Sequence, residues 1–177
     1  MSDFRVGDTV VEPTIGICRV EGIRRQTIDG REEDYYVFQS ESAKVMVPRS
    51  QVARRGIRRP MSKDEVKKLY NMLKMPVSPV RGDARQMYLN YRDIIKSGDP
   101  TKICKLVRDL YVLDEMDELK GKEKEILEQA MMFLLDEIVF VTTESKTKVR
   151  AEIEECLSKM YKKKQDKEVK KPGKGSK

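Results

Sequence analysis

Five arginines lie within eleven positions that contain no acidic residue, and their chemistry is the easiest in the chain to name. They are Arg49, Arg54, Arg55, Arg58 and Arg59. A guanidinium group donates paired hydrogen bonds to phosphate or carboxylate oxygens. The cluster therefore predicts either a surface that binds polyanions or a solvated linker, and the sequence favours neither interpretation.

A second basic group lies at the C-terminal end of the chain. Residues 159–177 contain nine lysines and two acids, which accounts for the whole formal net charge of +7. Residues 1–60 contain 11 basic and 9 acidic residues, and residues 61–158 contain 17 and 19. Residues 162–177 include Pro172 and Gly173 and almost nothing apolar, so a disordered basic tail is expected there. Such a tail is either solubilising or a non-specific contact to nucleic acid through counterion release.

Groups that could carry catalysis are sparse. The chain has no histidine, which removes the commonest general base and the commonest metal ligand. It also lacks the P-loop, GxGxxG and GxSxG motifs. Adjacent carboxylates such as Glu32-Glu33 and Glu154-Glu155 could transfer protons, but such pairs usually belong to solvated surface. We therefore expect a binding protein rather than an enzyme, with no cofactor and no metal.

The cysteines and the apolar segments indicate the cellular compartment in which the protein is expected. Cys18, Cys104 and Cys156 are far apart in sequence. Their odd number and spacing argue against a disulfide framework or a zinc site and favour small core residues. No run of about 18 uncharged apolar residues exists, so no membrane span is expected. The N-terminus lacks the apolar core of a signal peptide, and a cytoplasmic protein is expected.

The first third of the chain has the pattern of short strands. The segments rich in β-branched and aromatic residues are Thr9–Val11, Ile17–Ile28, Tyr35–Phe38 and Val45–Val47. Asp29-Gly30 is a hairpin signal, because both residues tolerate positive φ. Pro48 ends the last strand, since proline donates no hydrogen bond to a ladder. A small curled sheet or barrel is expected in residues 1–60.

From about residue 60 the apolar spacing changes to that of helices. Ser62 and Glu65 have the spacing of a capping box, in which each satisfies a free backbone donor of the other. Asp99-Pro100 opens another helix, with aspartate as the N-cap and proline in the first turn. The stripes predict about five helices, beginning near residues 62, 83, 99, 122 and 146. The expected fold is α+β, with a β domain in residues 1–60, an all-α domain in residues 61–161 and the basic tail.

Four segments follow one another in a specific order. They are Phe4-Arg5-Val6-Gly7-Asp8-Thr9-Val10-Val11 with Pro13 and Gly16, then Val45-Met46-Val47-Pro48, then Lys96-Ser97-Gly98-Asp99, and then Val107-Arg108-Asp109-Leu110-Tyr111 with Leu119 through Leu127. Each is weak alone. Their collinear series over about residues 4–160 resembles the CarD/CdnL family of bacterial transcription factors.

The resemblance implies the partners and the function. The N-terminal domain would be a Tudor-like small β-barrel, similar to one in the transcription-repair coupling factor, that docks on the RNA polymerase β subunit. The helical domain would contact promoter DNA at the upstream edge of the melted region. The expected function is to modulate open-complex stability at initiation, by a monomer associated with the nucleoid. The alternative is a general non-specific DNA-binding architectural protein that uses the arginine cluster and the tail and has no polymerase partner.

The resemblance also implies the polymerase contacts. Met46 and Pro48 stand where the family contacts the polymerase. Arg24 and Arg25 lie beside a further contact position, which is Gln26 here. An open sheet edge at this place could pair with a strand of the partner.

The DNA-binding side departs from the family pattern. The family has a tryptophan early in the second helix that wedges into the minor groove, but this chain has no tryptophan and carries Ala84 there. Alanine is too small to fill an unstacked base step. Because the helical domain also has a negative net charge, weak, salt-sensitive and sequence-independent DNA binding is expected. The candidate DNA contacts are Arg81, Ala84, Arg85, Met87, Lys124, Lys162, Lys163 and Lys164.

Overall fold

The computed structural model describes residues 3–170, in which a four-stranded sheet precedes five helices. The strands are β1 (Thr9–Glu12), β2 (Gly16–Ile28), β3 (Arg31–Gln39) and β4 (Lys44–Pro48), and a 3-10 turn (Arg49–Gln51) follows them. The helices are α1 (Lys63–Leu73), α2 (Ala84–Ser97), α3 (Pro100–Glu115), α4 (Gly121–Thr142) and α5 (Lys146–Val169). The α+β architecture with five helices is confirmed.

The β module is an antiparallel meander with the strands in the order β1, β2, β3, β4. Asp29 and Gly30 form the β2–β3 turn with φ values of 53° and 74°, as the hairpin signal predicted. A bulge between Val20 and Gly22 bends β2. The sheet stays open, because in the described chain β1 gains only one isolated bridge, to the segment that follows β4. The Tudor-like barrel is therefore not confirmed.

Aromatic rings fill one face of this sheet. Tyr36 and Phe38 are stacked with their centroids 5.7 Å apart, and Phe4 packs edge-on at 5.8 and 6.4 Å from them. The backbone N–H of Phe4 donates to the Tyr36 hydroxyl at 3.2 Å. Packed aromatic pairs add stability beyond the area they bury. This cluster ties the residues before β1 to the sheet.

The helical module packs around α3, which buries eight of its 16 residues and contacts α1, α2, α4 and α5. The predicted capping box is confirmed. The Ser62 hydroxyl accepts from the Glu65 N–H at 3.1 Å, and the Glu65 carboxylate accepts from the Ser62 N–H at 2.7 Å. Asp99 accepts from the Thr101 N–H at 2.9 Å at the start of α3, so the second helix-start signal is also confirmed.

Helix α5 is longer than expected. It continues to Val169, so the expectation of disorder from residue 162 does not hold for residues 162–169, while residues 171–177 lie outside the described part of the chain. Lysine, glutamine and glutamate are good helix formers. Lys164 also pairs with Glu168 one turn later, and it is only 7% exposed, since its aliphatic stem is buried beside the α1–α2 connection. Side-chain packing thus extends a segment that composition alone marks as disordered.

Candidate functional site

The arginine cluster is partly engaged by contacts within the protein. Four of its five members form ion pairs with acidic residues from distant parts of the chain. The pairs are Arg49 with Asp3, Arg55 with Glu12, Arg58 with Glu137 and Arg59 with Asp8. Arg58 donates both of its terminal nitrogens to the buried Glu137 carboxylate, whereas the pairs of Arg49 and Arg59 are exposed and hence weak. Arg58 is therefore committed to the fold, while the other arginines keep charge that a polyanion can reach.

The strand register places the predicted polymerase contacts on the sheet. Val37 is opposite Met46, and Tyr35 is opposite Pro48 on one side and Arg24 on the other. Side chains alternate between the two faces of a strand, and the neighbouring residues of β3 and β4 belong to the aromatic core. Arg24, Met46 and Pro48 therefore share the outer face of the sheet.

Gln26 lies on the same outer face, two residues along β2 from Arg24, but Arg25 does not. Arg25 is opposite Asp34 in the register, and its Nε is 3.5 Å from the Asp34 carboxylate and 3.9 Å from that of Glu32. These contacts direct Arg25 toward the other face. The fold thus brings four of the five predicted polymerase contacts together and separates the fifth.

Strand β4 forms an edge of the sheet, and in the described structure it pairs with β3 alone. Backbone groups along such an edge are available to a strand from a partner. Met46 and Pro48 are half-buried and offer apolar surface beside the edge. The geometry suits the addition of a partner strand, with side-chain pockets that set selectivity.

Two of the predicted DNA contacts are engaged within the protein. Arg81 Nη1 donates to Glu123 Oε1 at 2.9 Å, and its Nη2 donates to the carbonyl oxygen of Glu118. The Met87 sulfur accepts from the Gly82 N–H at 3.1 Å, and the side chain packs against the helical core. Arg81 therefore attaches the α1–α2 connection to the start of α4, and Met87 supports that connection from α2.

The exposed face of α2 carries cations that the sequence analysis named only in part. Ala84 and Arg85 are exposed in the first turn, where DNA contacts were predicted. Leu89, Arg92 and Lys96 follow Arg85 at spacings of four, three and four residues, and all are exposed. Residues at these spacings share one side of a helix. This periodicity of basic residues is visible in the sequence and could have identified the face.

Arg92 and Lys96 line a groove of about 470 Å³ between α2, α4 and the β1–β2 turn. Lys122 of α4 also lines it, as does the ring of Tyr88, and Glu125 supplies the single acidic side chain of the described lining. Arg92, Lys96 and Lys122 form no ion pair within residues 3–170. The groove therefore concentrates available positive charge in a part of the chain, residues 61–158, that contains 17 basic and 19 acidic residues.

The remaining predicted cations are dispersed. Lys124 lies on another face of α4, where its Nζ is 3.7 Å from the carboxylate of Asp114. That pair is exposed and hence weak, so the charge stays accessible. Lys162 and Lys163 are exposed on α5, whereas Lys164 is buried. Of the three lysines predicted from the tail, two therefore present their charge to solvent.

Two exposed apolar side chains precede and follow Ala84 in the chain. Val80 is 83% exposed in the connection that precedes α2, and Leu89 is 45% exposed one turn into the helix. Neither was singled out in the sequence. Both are much smaller than an indole ring, so neither supplies the large planar wedge that a tryptophan would offer a base step.

Burial lowers the reactivity of the three cysteines. Burial raises the pKa of Cys18 to about 11 and that of Cys104 to about 12, and it also raises the pKa of Cys156. The reactive thiolate is therefore scarce at neutral pH. Within residues 3–170, no three histidine, cysteine, aspartate or glutamate side chains are grouped as metal ligands would be. No helix in that part of the chain is long and apolar enough to cross a membrane.

An open sheet with an available edge, joined to a helical module with a basic groove, defines a two-module binding protein. Comparison with known sequences agrees with this class. Residues 4–61 match the family model of the CarD-like/TRCF RID domain, and residues 68–154 match that of the CarD C-terminal domain. The chain therefore belongs to the CarD family, which confirms the resemblance found in the sequence.

A relative in Bacillus subtilis (strain 168) bears the name "Putative transcription factor YdeB". It is 27% identical over 137 residues, which cover 76% of this chain and 90% of that protein. The family is one of transcription regulators, and the first matched domain implies an interaction with RNA polymerase. The match to the second domain ends at residue 154, before the last part of α5.

Proposed function

We propose that the protein regulates transcription initiation by binding the RNA polymerase β subunit and promoter DNA at the same time. The outer face and free edge of the sheet bind the polymerase, and the groove between α2 and α4 binds DNA. Together they change the stability of the open promoter complex. Catalysis has no part in this action. A monomer that works in the cytoplasm on the nucleoid is sufficient for it.

One observation carries the proposal on the DNA side. Three cations without ion pairs in the described chain, Arg92, Lys96 and Lys122, line one groove of a domain that is otherwise slightly acidic. Lysine and arginine side chains that contact phosphates release counterions, and the affinity then falls steeply with salt. Phosphate contacts position a protein without reading sequence. The groove is therefore suited to sequence-independent binding of a DNA backbone.

The polymerase side is supported by the sheet. Met46 and Pro48 lie beside an edge strand that is five residues long, which is enough for a partner strand to pair with it. Backbone hydrogen bonds would supply affinity there, and the apolar side chains on the outer face would select the partner. Arg24 and Gln26 extend the same face.

The DNA-binding proposal can be tested by salt-dependent binding. The triple variant R92A/K96A/K122A should bind a promoter duplex more weakly. The slope of log affinity against log salt concentration should also become less steep by about three, since each lost phosphate contact lowers the slope by about one. Fluorescence anisotropy at several salt concentrations measures both quantities. The control triple variant K63A/K68A/K102A removes the same charge from exposed positions elsewhere. Equal effects of the two triples would assign the binding to net charge and reject the groove.

The polymerase proposal can be tested by a pull-down with the β subunit. The M46A/P48A variant should lose most of the binding while it stays folded, because both side chains are only half-buried and lie on the outer face. The control V6A shortens an apolar side chain that is 63% exposed and precedes β1. Full retention of the β subunit by M46A/P48A would reject this docking site.

The architectural DNA-binding alternative is supported by the exposure of Lys162 and Lys163 on α5. Within its other basis, the arginine cluster, Arg58 is committed to the buried Glu137, while the exposed pair of Arg59 leaves its charge accessible. The pull-down with the β subunit separates the two candidates, since the architectural alternative expects no binding by the parent protein.

A further inference from the structure

The two modules meet at a joint in which a side chain from the β module is anchored in the helical module. The Arg58 backbone belongs to the β module, because it exchanges hydrogen bonds of 2.7 and 3.2 Å with Val11. Its guanidinium group reaches α4, where Nη1 and Nη2 donate to the two carboxylate oxygens of Glu137, each at 2.7 Å. Glu137 is 1% exposed and also accepts from the Met61 N–H at 2.7 Å.

The same arginine binds a second helix, and the backbones approach closely beside it. Arg58 Nε donates to the carbonyl oxygen of Gly98, the C-cap of α2, at 2.9 Å. A Cβ atom on Gly98 would lie 2.5 Å from Pro13 Cγ, and one on Gly56 would lie 2.5 Å from the Ser97 carbonyl oxygen. Both glycines also have positive φ, 64° and 71°. The end of α2 therefore fits directly against two loops of the β module.

The β1–β2 turn, which carries Pro13, is itself held by a buried carboxylate. Glu12 is 2% exposed and accepts from the N–H groups of Thr14 and Ile15, both at 2.8 Å. Arg55 lies 3.8 Å from its other oxygen. Pro13 is thus presented to α2 by a turn with a fixed conformation, rather than by a flexible loop.

Buried ion pairs are poor sources of net stability, because apolar residues of similar volume often serve as well or better. A guanidinium–carboxylate pair with two parallel hydrogen bonds does fix both a distance and an angle. At this joint it does so between an extended segment of the β module and the middle of α4. The pair is therefore better suited to selecting one arrangement of the modules than to stabilising either module.

We infer that Arg58 and Glu137 are positioning residues that lock the two modules at one angle, so that a single molecule engages polymerase and DNA together. The inference rests on the proposed function. Once one partner is bound, binding of the second partner becomes intramolecular. The effective concentration of the second partner is highest when the angle between the modules matches the positions of the two binding sites. When the joint is loosened, the groove takes many orientations relative to the sheet. Binding of one partner then favours binding of the other less strongly, although both contact surfaces remain intact.

The test uses the variant R58M/E137Q, which removes both charges together. The glutamine side chain of this variant retains a carbonyl oxygen for the Met61 N–H, and the methionine occupies the space of the arginine stem, so no unpaired buried charge is left. The control is E128Q, the same exchange on the same helix. Glu128 accepts two hydrogen bonds of 3.0 Å from Arg150, but this pair is exposed and lies within the helical module.

The first measurement is the distance distribution between spin labels at S42C and K102C, one on each module, by pulsed electron paramagnetic resonance. Both positions are exposed, and the native cysteines are buried. The parent protein and E128Q should give one narrow distribution, and R58M/E137Q should give a broad one. A distribution in R58M/E137Q as narrow as that of the parent would overturn the lock.

The second measurement compares binary and ternary binding of the cognate polymerase and a promoter duplex. R58M/E137Q should bind the β subunit alone and the duplex alone within about twofold of the parent, but the polymerase–promoter complex about tenfold more weakly. Parental affinity for that complex, despite a broadened distance distribution, would overturn the positioning role. Failure of the parent to bind polymerase would reject the proposed function, whereas the spin-label distances would still decide whether the pair locks the joint.

Discussion

The Glu137→Ala substitution removes the acceptor of three hydrogen bonds at the joint between the modules. The two Arg58 donors and the Met61 N–H each lie 2.7 Å from a Glu137 oxygen. Glu137 is almost fully buried, whereas the Arg58 side chain is 25% exposed. After the substitution, water can therefore reach part of the guanidinium group, but it does not replace the whole carboxylate.

The structure sets the size of the expected loss. Breaking a buried ion pair by removal of one partner costs about 3–5 kcal/mol, and partial hydration of Arg58 places this case at the lower end. The buried Met61 N–H without an acceptor costs about 1–3 kcal/mol more when counted alone. Because the two effects share one site and overlap, we expect the free energy of unfolding to fall by about 4 kcal/mol. For a chain of this size the melting temperature should fall by roughly 8–16 °C.

Urea denaturation followed by circular dichroism, at low and high salt, tests this value. The matched control is Glu128→Ala, which removes an exposed carboxylate from Arg150 on the same helix. The control should lose less than about 1 kcal/mol, and its loss should shrink in high salt, because exposed charges are screened. A Glu137→Ala loss equal to that of the control, or one that salt abolishes, would refute the role of this residue as a buried anchor.

Three other experiments test local packing. Gly98→Ala should destabilise the protein by about 1–2 kcal/mol, since a φ of 64° disfavours any Cβ and Pro13 occupies the space; an unchanged melting temperature would contradict that contact. The Cys104 thiol should resist iodoacetamide at pH 8 until the protein unfolds, as mass spectrometry would show. Burial raises its pKa from 9.0 to about 12, so the stability that it contributes below pH 9 should be lost as the pH rises toward 12. Lys164→Ala should lower the free energy of unfolding by about 1 kcal/mol, because the buried stem of Lys164 covers apolar surface. The control Lys163→Ala should change it by less than about 0.5 kcal/mol. Equal losses in a denaturation experiment would show that the Lys164 stem does not pack.

The features that the sequence predicted correctly depend on residues that are neighbours in the chain. The capping box of Ser62 and Glu65 and the turn at Asp29-Gly30 are local, because each satisfies backbone groups or φ values within four residues. The apolar stripes of the helices are also local patterns. Their agreement with one another explains why the α+β class and the five helices were predictable.

The features that the sequence did not predict depend on contacts between distant residues. Arg58 and Glu137 are 79 residues apart, so nothing near Arg58 indicates that its charge is used inside the protein. The helical extension of α5 depends on Lys164, whose stem is buried against a connection almost 90 positions earlier. The groove combines Arg92 and Lys122 from two helices that only the fold brings together. Composition could mark these residues as basic, but it could not distinguish the engaged cations from the available ones.

The distribution of charge has a consequence for the proposed mechanism. In the proposed mechanism the groove contacts phosphates, which carry no sequence information directly, and no large side chain stands at Ala84 to hold a base step open. Selection of promoters must then come from the polymerase, to which the β module attaches the groove. A weak and unselective DNA-binding surface acts at a promoter only if it is held at a defined place, which is the property that we infer for the Arg58–Glu137 joint. The effect on open complexes should therefore depend more strongly on the angle between the modules than on the intrinsic DNA affinity of the helical module.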